Sequence, residues 1–313
     1  MSFEEDKKEI EKLNHKFYSG YRTNKWDELN KIFHNDIEIH SSATGDFKGL
    51  DQVERAFLYP GPKPYQAKQN VENILLRIDD CYAIQSCHMI MIYSYQKDNF
   101  HYLQYGLTCL LKYKKTKMGW RICSFTSDLC WIDGNTYWVN IWNLINYKIE
   151  YRSQRKIKAD DSIWHVHTRE KTDIEKIKEV LFGYGWVIDE EDYDLFTEIS
   201  VSDIIIEDGY HSLCFNGQQA WIDFLKQLNQ KEVFLHHTYR IISIDIEKTY
   251  AKARMVRLEP NRIGSKVIGQ DNWKYDWFTL DYEIELVKLK SQWKLKKVHF
   301  EKAIRYELTK GYL

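Results

Sequence analysis

The stretch "FKGLDQVERAFL", Phe47 to Leu58, returns as "FNGQQAWIDFLK", Phe215 to Lys226, with Gly217 lying 168 residues after Gly49. Each copy reads as an aromatic, one residue, a glycine and the opening of an amphipathic helix. One phrase could recur by chance, but a chance match does not extend to the whole order of elements around it. Upstream, Ile10, Leu13, Phe17 and Tyr21 follow helical spacing, as do Ile174, Ile177, Leu181 and Tyr184. A short second helix follows in each half ("WDELNKIF" from Trp26, "YDLFTEI" from Tyr193). Next comes a strand led by aspartate, "DIEI" at Asp36 and "DIII" at Asp203, each pair offset by 167 residues.

Downstream, both halves turn to long Ile-, Val-, Tyr- and Thr-rich stretches that read as β-strands. "ILLRIDDCYAIQS" from Ile74 matches "ISIDIEKTYAKAR" from Ile242, each a hairpin through an acidic turn, with Tyr82 and Tyr250 again 168 apart. "YGLTCLLKYKKTKMGWRI" and "YEIELVKLKSQWKL" close the halves as a second hairpin each. The offset there reaches 173, Trp293 against Trp120, as loop insertions would produce. Helix, helix, strand, helix and a strand meander make an α+β order, with about three helices gathered on one face of a curved antiparallel sheet. Residues from about 5 to 130 and from about 170 to 310 are therefore expected to be two copies of one domain.

Composition agrees with two domains. The chain has 313 residues, and 45 basic against 46 acidic residues give a net charge of −1, so no phosphate-binding footprint stands out and nucleic acid is not an expected partner. The opening "MSFEEDKKEI" lacks an apolar core and no apolar run approaches the ~18 residues of a membrane span, which predicts a soluble, cytoplasmic protein. The six cysteines show no CxxC spacing and are expected to be reduced and mostly buried. Aromatics at 15% suit cores, interfaces and apolar pockets alike. The expected division is a first domain at 1–135, a linker at 136–165 containing the solvated basic run Arg152 to Lys158, and a second domain at 166–313.

The order in each half, with Trp or Tyr before the second helix, Asp before the first strand and a glycine opening the third helix, resembles the SnoaL-like branch of the nuclear transport factor 2-like superfamily. The resemblance implies two cystatin-like α+β cones in tandem, each able to hold an apolar pocket between sheet and helices. It also implies a range of functions, from ketosteroid isomerases, dehydratases and polyketide cyclases to non-catalytic members, so that only pocket residues can choose among them. Cones of this type often pair through their open sheets, which implies a pseudo-dimer within the chain or a homodimer.

Dehydratase-like members carry a Tyr near the end of the first helix, an Asp five residues later and a His opening the strand after the third helix. Tyr184, Asp189 and His237 match that arrangement, while the first half has Tyr18, Thr23 and Gln69 at the corresponding places. The types fit acid–base chemistry. An imidazole can take a proton from a carbon beside a carbonyl, a carboxylate fixes its tautomer, and a phenol can donate to the oxygen that gains charge. Five residues along a helix rotate by ~140°, so Asp189 is expected beyond the helix end.

Each residue also has a structural reading. Asp189 could cap the second helix ahead of "EEDYDLF", either His236 or His237 could be the inward one in "VFLHHTYR", and Tyr184 could be a core ring. On the next strand, Ala251, Ala253, Met255, Arg257 and Glu259 alternate onto one face. Arg257, Glu259, Met255 and Trp186 are the candidate ligand-lining residues, for a small apolar or polycyclic molecule. His165 and His167 share one side of a strand but have no third ligand at recognisable spacing, so no metal is expected. The reaction to expect is a cofactor-free dehydration or isomerisation beside a carbonyl. The alternative is a non-catalytic ligand-binding or protein-interaction module.

Overall fold

The structure is a computed structural model, and it describes residues 3–26, 28–96, 100–147, 150–152, 157, 171–230, 236–260 and 274–309. The chain divides into two compact units, Met1–Thr168 and Arg169–Leu313. The first contains helices α1 (Phe3–Thr23), α2 (Leu29–Ile32) and α3 (Val53–Ala56). Its strands are β1 (Phe33–Ser41), β2 (Gly45–Lys48), β3 (Gln66–Asp79), β4 (Tyr82–Gln96), β5 (Phe100–Thr116) and β6 (Gly119–Gly134), followed by a small hairpin of β7 (Ile145–Tyr147) and β8 (Glu150–Arg152). The second contains α4 (Asp173–Glu190), α5 (Tyr193–Ile199) and α6 (Gln218–Gln230). Its strands are β9 (Ser200–Asp208), β10 (Leu213–Asn216), β11 (Tyr239–Glu247), β12 (Tyr250–Pro260), β13 (Lys274–Leu289) and β14 (Gln292–Thr309).

The two six-stranded sheets have one topology, β2-β1-β6-β5-β4-β3 and β10-β9-β14-β13-β12-β11. Each unit is thus an α+β cone, as expected. One feature of the sheets differs from expectation: they are mixed rather than antiparallel, because β1 pairs parallel with β6 and β9 parallel with β14. This pairing joins segments far apart in sequence, and local periodicity carries no signal for it. Even the irregularities repeat. The parallel register slips between Phe33 and Glu38 and again between Ser200 and Ile205, and a bulge lies between Glu72 and Leu75 and again between Ile241 and Ser243.

The glycines of the repeated phrase have a physical task. Gly49 and Gly217 take φ of 93° and 89°, which a side chain would strain. Their N–H groups donate to Ile37 O (2.9 Å) and Ile204 O (2.8 Å), tying the turn to β1 and to β9. After them the units diverge, since α3 spans 4 residues and α6 spans 13.

Each first helix is fastened to the last hairpin by a carboxylate. Asp6 Oδ1 accepts the indole N–H of Trp120 (2.8 Å) and meets Lys115 Nζ (2.6 Å). Asp173 accepts Trp293 Nε1 on Oδ1 (3.0 Å) and Lys288 Nζ on Oδ2 (2.8 Å). Thr172 and Glu175 form a capping box that starts α4 beside this clasp. Of the expected helical apolar residues, Ile10, Leu13, Phe17, Ile177, Leu181 and Tyr184 are buried. Ile174, in the first turn of α4, is exposed.

The first cone is filled by rings. Phe17 sits among Tyr18, Tyr21, Trp26, Phe33, Phe57 and Phe125 at centroid distances of 5.4–6.1 Å. The segment after β6, part of the expected linker, adds to this core. Val139 and Trp142 are buried in it, Asn143 N donates to Ala43 O (2.7 Å), and the Trp142 ring lies 5.1 Å from Tyr105. The cavity left among Tyr21, Tyr59, Tyr93, Tyr105, Phe125 and Trp142 measures about 10 Å³, room for one water. All six cysteines are free thiols; Cys87, Cys109 and Cys130 are buried, whereas Cys81 and Cys214 are exposed. Among the described residues, no helix is long and apolar enough to cross a membrane.

The clasp carries a prediction. Burial alone would raise the Asp6 carboxyl, but its bonds to Lys115 and Trp120 hold it below its ordinary value. Because the folded pKa is the lower one, the stabilisation is complete above the unfolded value of ~3.9 and is lost as pH falls through the folded value. Asp6→Ala is expected to cost about 1–3 kcal/mol in urea unfolding at pH 7. The difference from wild type should shrink below about pH 4; a gap that stays constant with pH would contradict the clasp.

Candidate functional site

The last two turns of α4, Gly183 to Glu190, are buried on every side. Gly185 contributes to that. A Cβ on Gly185 would lie 2.9 Å from Tyr239 Cε2 and 3.3 Å from His237 Cβ, so the bare helix backbone lets the segment 236–239 lie directly against it. Asp189 is one turn further on the same face. Its Oδ2 accepts the backbone N–H of His237 (2.7 Å) and its Oδ1 meets His237 Nδ1 at 2.5 Å, with side chains 1% and 6% exposed. A carboxylate can only accept, so this contact places the imidazole proton on Nδ1.

Three expectations are corrected here. Asp189 lies within α4 rather than beyond its end, so it and Tyr184 stand ~140° apart around one helix. Asp189 does not cap the second helix: Asp192 does, its Oδ1 accepting from Leu195 N (3.1 Å). His237 does not open the strand, since β11 begins at Tyr239, and His236 and His237 are both buried.

Around the pair stands an aromatic and cationic group. Tyr239 lies 5.6 Å from the His237 ring and 5.1 Å from Tyr282. Burial first, then the neighbouring Tyr282 and Asp208, push the Tyr184 phenol well above its ordinary pKa, against the opposing influence of Arg257. Burial likewise raises Tyr239, with Tyr282, Tyr184 and Asp189 adding to it. Both phenols therefore stay protonated at neutral pH. Ala251, Ala253, Met255 and Arg257 are all buried on the inner face of β12, as the alternation predicts. Arg257 Nη2 lies 3.4 Å from His236 O. Glu259 belongs to β12, but its side chain lies outside what is described. Trp186 is buried, two residues from Tyr184 and hence turned ~200° around the helix from it. His165 and His167 lie outside the described residues, and among those described no three His, Cys, Asp or Glu side chains gather as a metal site.

The register identifies the counterparts in the first cone. Tyr239 pairs with Arg257 as Val71 pairs with Met89, so methionine stands in place of the arginine. Gln69, in place of His237, directs its amide to Met89 Sδ (2.8 Å), and Thr23 is exposed with its hydroxyl on Ser19 O (2.7 Å). Tyr18 accepts from Gln85 Nε2 (2.8 Å). No proton-exchanging pair occupies this place.

Residues 4–126 and 169–299 each match the SnoaL-like domain family. The chain belongs to the SnoaL-like family, twice over. No curated protein matches it significantly. Solved structures align with less than half of the chain. The Kfla4162 protein of Kribbella flavida is 14% identical, with 44% of this chain and 99% of that one covered at a TM-score of 0.39. A protein provisionally titled a scytalone dehydratase, from Novosphingobium aromaticivorans, is 19% identical over 44% of this chain and 87% of its own, with a TM-score of 0.35. A nuclear transport factor 2-like protein with a cystatin-like fold, also from Novosphingobium aromaticivorans, is 16% identical over 41% and 80%, with a TM-score of 0.34.

Sequence reading did not single out Tyr239, Tyr282, Asp208 or His211. The two tyrosines read as ordinary strand aromatics, and the last two residues look like a strand end and its turn. The close approach at Gly185 gives a direct test. Gly185→Ala gains helix propensity of ~1 kcal/mol but drives a methyl into the buried Tyr239 ring. It is expected to destabilise the second unit by a net ~1–2 kcal/mol and to move the His237 imidazole resonances in NMR spectra. An unchanged melting temperature and spectrum would contradict the contact.

Proposed function

We propose that the second SnoaL-like cone binds a small apolar molecule bearing a carbonyl and catalyses dehydration or isomerisation beside it, without a cofactor. The observation that carries this reading is the buried Asp189–His237 pair, gripped through both carboxylate oxygens. His237 Nε2 takes a proton from the carbon next to the carbonyl, and the electron pair moves onto the carbonyl oxygen. Asp189 holds the imidazole in place and stabilises its protonated form. Tyr184, a buried and protonated phenol, donates to the developing oxyanion, and Arg257 adds positive charge nearby. In a dehydration the enolate then expels hydroxide from the β-carbon, which leaves as water with the proton held by His237. In an isomerisation that proton returns to the γ-carbon. Met255, buried on the inner face of β12, completes the proposed lining.

A second reading, a ligand-binding or interaction module without turnover, draws on the first cone, where the same fold has dispensed with the acid–base pair. The two readings part on one set of variants, assayed against a panel of β-hydroxy ketones and enones. His237→Ala is expected to lower turnover by about 10²-fold or more, and Asp189→Asn by about tenfold or more with the fold retained. Gln69→Ala should leave turnover unchanged. A ligand that still binds while His237→Ala alters neither its rate nor its affinity would leave the non-catalytic reading in place.

A further inference from the structure

The first cone has no acid–base pair, but its core holds a chain of hydrogen bonds whose donors all point one way. Tyr113 Oη on β5 donates to Asn14 Oδ1 on α1 (2.7 Å), Asn14 Nδ2 donates to Gln85 Oε1 on β4 (2.8 Å), and Gln85 Nε2 donates to the Tyr18 oxygen (2.8 Å). Because that oxygen accepts from Gln85, its own proton is the one directed at Cys87 Sγ, 3.5 Å away. The line of donors ends on one sulfur, and bonds in such a line reinforce one another.

Opposite that sulfur is a second one. Cys87 on β4 and Cys109 on β5 are direct partners in the antiparallel ladder, and both are 1% exposed in the core of the cone. Residues so placed share a face and hold their Cα atoms ~4.5–5.5 Å apart, inside the ~4.4–6.8 Å that a disulfide spans. The frame does not require any of this. Counted from Tyr82 and Tyr250, which open β4 and β12, the second cone has Ala253 and Met255 in the places of Gln85 and Cys87, and Met255 pairs with Tyr282 as Cys87 pairs with Cys109. A buried cysteine serves as a small apolar filler in many cores, but that role explains neither the donors nor the facing thiol.

The two thiols are unequal. The hydrogen bond from Cys109, and then those from Tyr18 and Gln85, hold the Cys87 thiol below its ordinary pKa against burial, whereas burial pushes the Cys109 thiol well up. We propose that Cys87 and Cys109 are a redox couple, oxidised in place by a hydroperoxide to a cross-strand disulfide, with Cys87 attacking first. With hydrogen peroxide, the Cys87 sulfur gives an electron pair to one oxygen and the O–O bond breaks. Hydroxide leaves, takes the thiol proton as water, and Cys87 becomes a sulfenic acid. The Cys109 sulfur then attacks the Cys87 sulfur and expels its hydroxyl, which departs as water with the Cys109 proton. Two thiols have lost two electrons, and the peroxide has become two waters. Burial of both sulfurs selects a small oxidant, one that local opening of the cone admits.

The folded full chain tests this directly and needs no variant. It is treated with hydrogen peroxide, the remaining thiols are blocked with N-ethylmaleimide, and a non-reduced digest is mapped by mass spectrometry. The peptides carrying Cys87 and Cys109 are expected to be joined to each other. A pair that stays reduced while the exposed Cys81 and Cys214 are oxidised would overturn the proposal, as would Cys87 or Cys109 joined instead to the buried Cys130. The order of attack is read with dimedone, which captures sulfenic acids, on single serine variants whose fold is checked by circular dichroism. Dimedone should label Cys87 in Cys109→Ser and should leave Cys109 unlabelled in Cys87→Ser. An unlabelled Cys87 in the first variant, or a labelled Cys109 in the second, would overturn the assignment of Cys87 as the attacking thiol.

Discussion

A curved sheet has no intrinsic reason to keep a helix at a fixed height across its concave face, because apolar contact is non-directional and tolerates sliding. In both cones the missing constraint comes from an aspartate in the first turn of the leading helix, which takes an indole N–H from the last strand and an ammonium from the strand before it. That bond is directional, and it sets the position of everything further along the helix. In the second cone it determines that Gly185 faces Tyr239 and that Asp189 arrives opposite His237. The pair at the far end of α4 thus depends on a carboxylate some four turns away.

With the frame held in common, the two interiors diverge by substitution at matched places. His237, Arg257 and Asp208 correspond to Gln69, Met89 and Ser41. Each change replaces a charge or a titratable ring by a neutral side chain, and the first cone closes its remaining space with Tyr59, Tyr93, Tyr105 and Trp142. Buried charge carries a desolvation penalty that must be met by partners, so a cone with no such task is more cheaply filled with rings.

Much of this was legible in the sequence, for a specific reason. Offsets of 167 and 168 residues recur because the two copies need the same glycine turn, the same strand start and the same hairpins, and these are local features. The companionship of Asp189 and His237 was legible only through the resemblance to dehydratase-like members, whose pattern the two residues match. The extent of α4 was not, since a helix end buried on several sides departs from the one-sided pattern that periodicity detects. The parallel pairing of β1 with β6 and of β9 with β14 joins segments too distant to leave a local trace. Trp142 read as part of a connector because its stretch has no clear period.

The filled first cone has a thermodynamic consequence. A ligand stabilises the state to which it binds in proportion to the logarithm of its concentration, and only where there is room for it. The ligand proposed for the second unit would thus be coupled to that unit's unfolding, whereas the space of about 10 Å³ among the first unit's core rings has room for one water. In a titration the first unit would then serve as an internal reference for how firmly the second is held.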